Sequence, residues 1–460
     1  MNDAFAQRRT SGTVPITLVT ETGYAAWRRK QSAAVRDGLR RAGFKAKVGA
    51  YALVPGTKGS KDHVIVAIDK TPDLWALAGL PNNLPAGTYA IEGDLDVPIA
   101  TAMAVGWGLG CYSFDRYLTD PRARVAKLVL PKDADRDQVI AQVRAVTLVR
   151  DLINTPAADM GPPELAAAAK QMADEFGAKI RVVRGKSLKE QFPAIHAVGR
   201  AADKAPRLID IAWGKPKHPK VTVVGKGVCF DTGGLNLKPA QGMRWMKKDM
   251  GGAAVALGLA HLIMSADLPI RLRVIIPAVE NNVAGNAYRP GDVLRTRKGV
   301  SVEIGNTDAE GRVVLADGLA LADEEAPDVL IDCATLTGAA RVALGADLPA
   351  MFCDDEDFAG ALSAAATTVN DPLWRLPLWR PYRSLLDTPI ADINNAGTGG
   401  FAGAITAALF LADFVDSAKT WVHLDLYGWN DTDRPGRPRG GEAMAMRALF
   451  EVIRRRFGVS

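Results

Sequence analysis

The stretch Val221-Thr-Val-Val-Gly-Lys-Gly-Val-Cys-Phe-Asp-Thr-Gly-Gly-Leu-Asn-Leu-Lys-Pro239 decides how this chain is read. A short β-branched run, Val221–Gly225, passes directly into a glycine-rich turn that carries Lys226, Asp231 and Lys238. Leu272–Pro277 and Val329–Cys333 are also mostly apolar, broken only by Arg273 and Asp332, as expected of strands buried on both faces. Between the runs lie Ala253–Met264, Val313–Glu324 and Ile405–Val415, which read as helices. The pattern predicts a central sheet flanked by helices, with ligands gathering at the carboxyl ends of its strands.

Outward from this core, the first ~130 residues alternate apolar and amphipathic segments. Pro15–Val19, Val64–Ile68 and Thr88–Glu92 read as strands, and Tyr24–Ala42 and Ile99–Arg116 as helices, which suggests a second α/β layer. Asp133–Thr147 opens with acidic residues, has helical spacing and ends near Asn154-Thr155-Pro156, where proline demands a break. The expected fold class is α/β in two domains. A smaller N-terminal α/β domain takes 1–132, a linker helix 133–153, and a larger C-terminal catalytic domain with a mixed central sheet takes 154–460. A length of 460 residues has room for two or three domains at ~150 each.

Composition narrows the function classes. Hydrophobic residues at 48% and charged residues at 23% exclude wholesale disorder. The longest apolar stretches, Gly251–Met264 with His261 inside it and Ala402–Ala412, fall short of the ~18 residues a bilayer needs. The N-terminal MNDAFAQRRTSGTVPITLVT lacks the apolar core of a secretory signal. Cys111, Cys229, Cys333 and Cys353 form no Cys-x-x-Cys pair and read as reduced thiols of a cytoplasmic protein. The formal charge of +6 is spread thinly, with short clusters at Arg28–Lys30, Arg40–Arg41 and Arg454–Arg456 that read as solvated faces. The five histidines His63, His196, His218, His261 and His423 make no His-x-x-x-His pair, so a metal site here must be built mainly from carboxylates.

Three segments supply them: the turn after Val221–Gly225, Met246-Lys-Lys-Asp249-Met-Gly-Gly, and Asn306-Thr-Asp308-Ala-Glu310-Gly-Arg312. If they meet, Asp231, Asp249, Asp308 and Glu310 cannot all ionise in a low-dielectric cleft without compensation. Two divalent cations would balance them, and bridging carboxylates suit a dinuclear site. In an extended segment Asp308 and Glu310 would share one face. Lys226 beside divalent ions could lose its proton and become a nitrogen ligand, whereas Lys238 could stay protonated and polarise a carbonyl. Arg312 could hold a small anion bidentately. Gly225-Lys226-Gly227 lacks the order of a phosphate loop.

These segments resemble the leucyl aminopeptidase family, the cytosol aminopeptidases. Asn306–Arg312, NTDAEGR, is similar to the family signature, and VGKGVCFDTGGLNLKP and MKKDMGGAA resemble its other blocks. The likeness continues through Asn154-Thr-Pro, Ala197-Val-Gly-Arg, Asp332-Cys-Ala-Thr-Leu-Thr-Gly-Ala and Ala402-Gly-Ala-Ile-Thr-Ala-Ala-Leu-Phe-Leu, covering roughly 150–430 in order. The resemblance implies removal of N-terminal residues from peptides by a hydroxide that two divalent ions activate. It assigns Lys226, Asp231, Asp249 and Glu310 to the tighter ion, and Asp231, Asp308 and Glu310 to the more exchangeable one. Zn²⁺ and/or Mn²⁺ are implied, with Mg²⁺ or Co²⁺ at the exchangeable position. Lys238 would stabilise the oxyanion. Bicarbonate, held by Arg312 with Gly311 and Leu336, would act as general base. Met246, Asn306, Ala309, Thr335 and Gly338 would line the pocket for the first side chain. A homohexamer acting on peptides in the cytoplasm is implied as well.

The chain departs from the family at Thr232, where serine is frequent, at Cys229, and after Trp429, where NDTDRPGRPRGGEAMAMRALF replaces a Gly-Ala-Thr-Gly stretch. By composition alone Met243, Met246 and Met250 are core filler, Trp213, Trp374, Trp379 and Trp429 are packing residues, and His423 is a buried, hydrogen-bonded histidine. Two rival readings use the same residues. One is a two-metal phosphoesterase; the other, resting on the basic balance, is a nucleic-acid-binding regulator.

Overall fold

The computed structural model describes residues 4–56, 62–120 and 126–458; Met1–Asp3 of the N-terminal stretch read above lie outside them. The chain divides into two compact units, Met1–Thr147 with Thr432–Arg439, and Leu148–Asp431 with Gly440–Ser460.

The N-terminal unit is built on a six-stranded sheet ordered Phe5–Ala6, Ala126–Val129, Gly87–Ile91, Val14–Thr20, His63–Ile68 and Tyr51–Val54, parallel except for the last strand. The expected helix Tyr24–Ala42 is two helices, Glu21–Arg29 and Ala33–Arg41. Thr20 caps the first and Ser32 the second, each accepting from a backbone N–H of the first turn, so a hydroxyl restarts the helix where one amphipathic pattern was expected. Thr432–Arg439 joins this unit, with the Arg437 guanidinium 4.5 Å from the Trp75 ring centroid. The expected helix Asp133–Thr147 runs over Arg136–Asn154 and stops just ahead of Thr155-Pro156.

The larger unit holds the mixed sheet. From one edge its strands are Trp374–Arg375, Ala350–Phe352, Trp421–Asp425, Val329–Ala334, Lys220–Gly225, Arg271–Asn281, Arg207–Trp213 and Lys179–Arg184. The four strands Trp421–Asp425 to Arg271–Asn281 run parallel, with antiparallel neighbours on either side. The central strands are buried on both faces, which explains their mostly apolar runs. The helices Gly251–Ser265 and Glu310–Asp323 have fourteen buried residues each and pack against the sheet.

One strand is longer than the sequence suggested. Arg271–Asn281 pairs with Lys220–Gly225 as far as Ile275, and with Gly227–Asp231 from Ala278 onward. Pro277 falls at the handover, where the break in pairing accommodates a residue without an N–H. The break also frees the chain at Lys226 to turn its side chain into the interior.

Several buried charges away from the carboxylate segments are paired. Arg150 donates to both carboxylate oxygens of Glu442 at 3.2 and 3.1 Å, and Asn430 donates to Glu442 as well. His423 Nδ1 lies 2.6 Å from Asp332 Oδ1 on the neighbouring strand, and both are fully buried, as expected of His423. All four cysteines are buried and free. Trp429 is buried, but Trp374 and Trp379 are 61% and 54% exposed, because they lie in a two-residue edge strand and beside a short 3₁₀ turn rather than under a helix.

Two outcomes follow from these pairs. Glu442→Ala leaves Arg150 charged and uncompensated in the interior, and should lower the unfolding free energy by ~3–5 kcal/mol in urea titrations. Burial lowers the pKa of His423, but the Asp332 carboxylate outweighs it and holds the imidazole above its ordinary value of 6.5. The stabilisation is therefore complete below pH 6.5 and is lost as pH rises through the elevated value. The difference in urea midpoint between the wild type and His423→Gln should shrink over that interval.

Candidate active site

Each acidic side chain is delivered from the end of a strand or the start of a helix. Lys226 follows Lys220–Gly225, Asp231 ends Gly227–Asp231, and Thr335 follows Val329–Ala334. Asp249 lies on the one-turn 3₁₀ helix Met246–Met250. The sequence placed Asp308 and Glu310 on one extended segment; instead Asp308 sits in a turn and Glu310 opens the helix Glu310–Asp323. The turn achieves what extension would have done, bringing one carboxylate oxygen each of Asp231, Asp308 and Glu310 within 4.8 Å of one another.

Two lysines divide the acids between them. Lys226 Nζ lies 2.7 Å from Asp249 Oδ2, 2.9 Å from Glu310 Oε1 and 2.9 Å from the carbonyl oxygen of Thr335, three acceptors for the three N–H bonds of an ammonium. Lys238 Nζ lies 2.8 Å from Asp231 Oδ2 and also pairs with Asp308. Burial works against the charge on both lysines, but Asp249, Glu310 and Asp231 around Lys226, and Asp231 and Glu310 around Lys238, raise their pKa above the ordinary range. Burial, reinforced by Asp231, lifts Asp308 to about 6 and Glu310 well above a normal carboxylate. Four carboxylates thus face two ammonium groups. Glu310 is 1% exposed, and its Oε2 has no hydrogen-bond partner among the described residues. A set of acidic oxygens with surplus negative charge and a buried orphan acceptor fits divalent cations.

The loops are tied together by Thr335, already named from the sequence, and by residues the sequence reading did not single out. Asn236 and Thr307 exchange hydrogen bonds, Asn236 N donating to Thr307 Oγ1 and Thr307 N to Asn236 Oδ1, each at 2.8 Å. Asn281 Nδ2 donates to Asp231 Oδ1 and to the carbonyl of Thr307. Asn395 clamps the signature turn by accepting from Gly305 N and Asn306 N and donating to the carbonyl of Asn306. Thr335 Oγ1 donates to Asp249 Oδ1 at 2.7 Å. The two asparagines come from outside the motif segments and carry no local pattern of their own. Gly233 has φ +87°, and a Cβ there would come within 2.5 Å of the Asn236 carbonyl. Gly311 is needed for another reason: a Cβ would lie 2.6 Å from Lys226 Cε.

A cavity of about 360 Å³ opens beside these groups. Met246, Thr335, Leu336 and Gly338 line it, as do the acids, Lys226 and Lys238. Asn306, Ala309, Gly311 and Arg312 are not among its lining residues. Asn306 Oδ1 accepts from Asp308 N and so shapes the turn from within. Arg312 is buried; its Nη1 donates to the Asn395 carbonyl at 2.8 Å, while its Nε has no partner among the described residues. Burial lowers the Arg312 pKa to about 10. Cys229 is buried and small, as read. Met250 is core, and only Met246 of the three methionines reaches the cavity.

Comparison with known proteins places this geometry. The catalytic-domain model of the cytosol aminopeptidase family matches residues 147–450, and an M17 aminopeptidase N-terminal domain model matches 14–131. The chain is 42% identical over 374 residues to a probable cytosol aminopeptidase of Roseiflexus castenholzii, covering 77% of this chain and 76% of that one. It is 37% identical to peptidase B of Pectobacterium atrosepticum, covering 90% and 92%. The crystal structure of cytosol aminopeptidase from Coxiella burnetii superposes with a TM-score of 0.95 at 46% identity, covering 99% of this chain and all of that one. The bottromycin maturation enzyme BotP in complex with Mn superposes with a TM-score of 0.87 at 32% identity, covering 97% and 99%. The chain therefore belongs to the cytosol aminopeptidase family, metal-dependent exopeptidases that remove residues from the N-termini of peptides.

Proposed function

We propose that this enzyme hydrolyses the first peptide bond of its substrates at a pair of divalent ions. The observation that carries the reading is the meeting of Asp231, Asp249, Asp308 and Glu310 around two lysines, with Glu310 Oε2 buried and unpartnered. Lys226, Asp231, Asp249 and Glu310 would hold one ion, and Asp231, Asp308 and Glu310 the other. The presence of Mn in the BotP complex supports manganese as one candidate, beside Zn²⁺, with Mg²⁺ or Co²⁺ at the exchangeable position. When bound, the ions supply Lewis acidity, acidifying water and polarising the scissile carbonyl.

The chain's own groups then have separable tasks. Lys238, on the cavity wall, donates to the oxygen that gains negative charge as the carbonyl is attacked. Arg312, with its free Nε, would hold bicarbonate beside Gly311 and Leu336, and that anion would carry a proton toward the leaving amine. Met246, Thr335 and Gly338 would receive the first side chain, with Asn306 and Ala309 shaping the turn behind them. A homohexamer in the cytoplasm agrees with the resemblance. Among the described residues no helix is long and apolar enough to cross a membrane.

Four measurements test this reading. Chelation should abolish hydrolysis of leucyl-arylamide, with Mn²⁺ or Zn²⁺ restoring it; undiminished activity of protein shown to be metal-free by elemental analysis would refute it. Asp308→Ala should lower the divalent-ion content measured on the same protein and cut kcat/KM at least ~100-fold. Lys238→Ala should retain the ions while kcat falls ~10²–10³-fold. Gly311→Ala forces Lys226 from its place and should lower metal content without a change in the acids themselves.

A further inference from the structure

The cavity is not acidic all round. Lys248 and Arg341 line it together with Tyr427, in addition to the acids. Lys248 lies on the 3₁₀ helix Met246–Met250 and is only 6% exposed, whereas Arg341, on the helix Gly338–Leu344, is exposed to solvent. The Lys248 Nζ and the Arg341 guanidinium carbon each sit 4.8 Å from the centroid of the Tyr427 ring. Among the described residues neither cation has an ion-pair partner. The acids close by are engaged elsewhere. Asp425 accepts from Leu336 N, Thr337 N and Thr337 Oγ1, and Asp431 accepts from the Tyr427 hydroxyl.

A buried ammonium without an anion is costly, and a second cation on the same ring adds repulsion rather than relieving it. The ring face supplies part of the compensation, but no hydrogen-bond acceptor. Two cationic donors on the wall of a substrate cavity, with Asp425 and Asp431 already occupied, match a negatively charged group brought in by the ligand.

We propose that the catalytic cavity selects substrates bearing a carboxylate, which Lys248 and Arg341 receive on either the first side chain or the C-terminus of a short peptide. The inference rests on the aminopeptidase reading above and names the substrate class of that same site. In contrast to the acid cluster, which handles the scissile bond, these two residues set which substrate is retained.

The experiment compares two substrate pairs on the metal-loaded enzyme. Glutamyl-arylamide against leucyl-arylamide varies the carboxylate of the first side chain; leucylglycine against leucylglycinamide varies that of the C-terminus. In at least one pair, the ratio of kcat/KM for the anionic over the neutral member should fall about tenfold in Lys248→Met and in Arg341→Met. Lys248→Arg, which keeps the charge, should restore most of it. The pair that responds identifies which carboxylate is read. Ratios that are unchanged in both pairs, with leucyl-arylamide still hydrolysed by the wild type, would overturn the role of the two cations alone. Failure of the wild type to cleave any of the four substrates would overturn the aminopeptidase reading, and this inference with it.

Discussion

Everything in the catalytic unit is arranged around the burial of like charge. Asp231, Asp249 and Glu310 are almost wholly removed from solvent, and Asp308 stands at their edge. Carboxylates in such a place repel one another and lose their hydration, so the protein must supply positive charge or take it up. Lys226 and Lys238 supply part of it, each bridging two acids that come from different segments. Surplus negative charge and an unpartnered Glu310 oxygen leave the cluster complementary to cations that the chain itself does not contain.

Holding that cluster is the task of the scaffold. The parallel strands end at one side of the sheet, so the turns after Gly225, Asp231 and Ala334 converge without long excursions. The break in pairing opposite Pro277 lets the chain leave the sheet at Lys226 and rejoin it at Gly227. Asn281 and the Asn236–Thr307 pair then lock two loops whose backbone could otherwise bend at their glycines. Elsewhere the same rule recurs: Arg150 with Glu442 and His423 with Asp332 are ion pairs that close off charge inside the unit.

The cavity wall carries charges of both signs. Near the acids, geometry favours cations and the chemistry of the peptide bond; near Tyr427 the two cations favour an anion. A substrate that carries charge at a fixed distance from its first peptide bond would be oriented by both sets of groups at once, and orientation of this kind lowers the entropic part of the barrier.

Much of this was legible in the linear chain. Mostly apolar runs such as Val329–Cys333 declared a sheet covered on both faces, and NTDAEGR, MKKDMGG and the Lys226–Lys238 segment carry the acids and lysines in recognisable local patterns. Local pattern was enough there because hydrophobic burial and turn chemistry act over a few residues. It was misleading where a short-range signal had a competitor: Ser32 restarts a helix inside Tyr24–Ala42, and a turn rather than an extended strand presents Asp308 and Glu310. Only the tertiary structure decided that Asn281 and Asn395 support the site, that Thr432–Arg439 joins the N-terminal unit, and that Lys248 and Arg341 share one tyrosine. None of these has a signature of its own. A single asparagine or lysine becomes informative only through what the folded chain sets against it, because desolvation and pairing depend on neighbours far away in sequence.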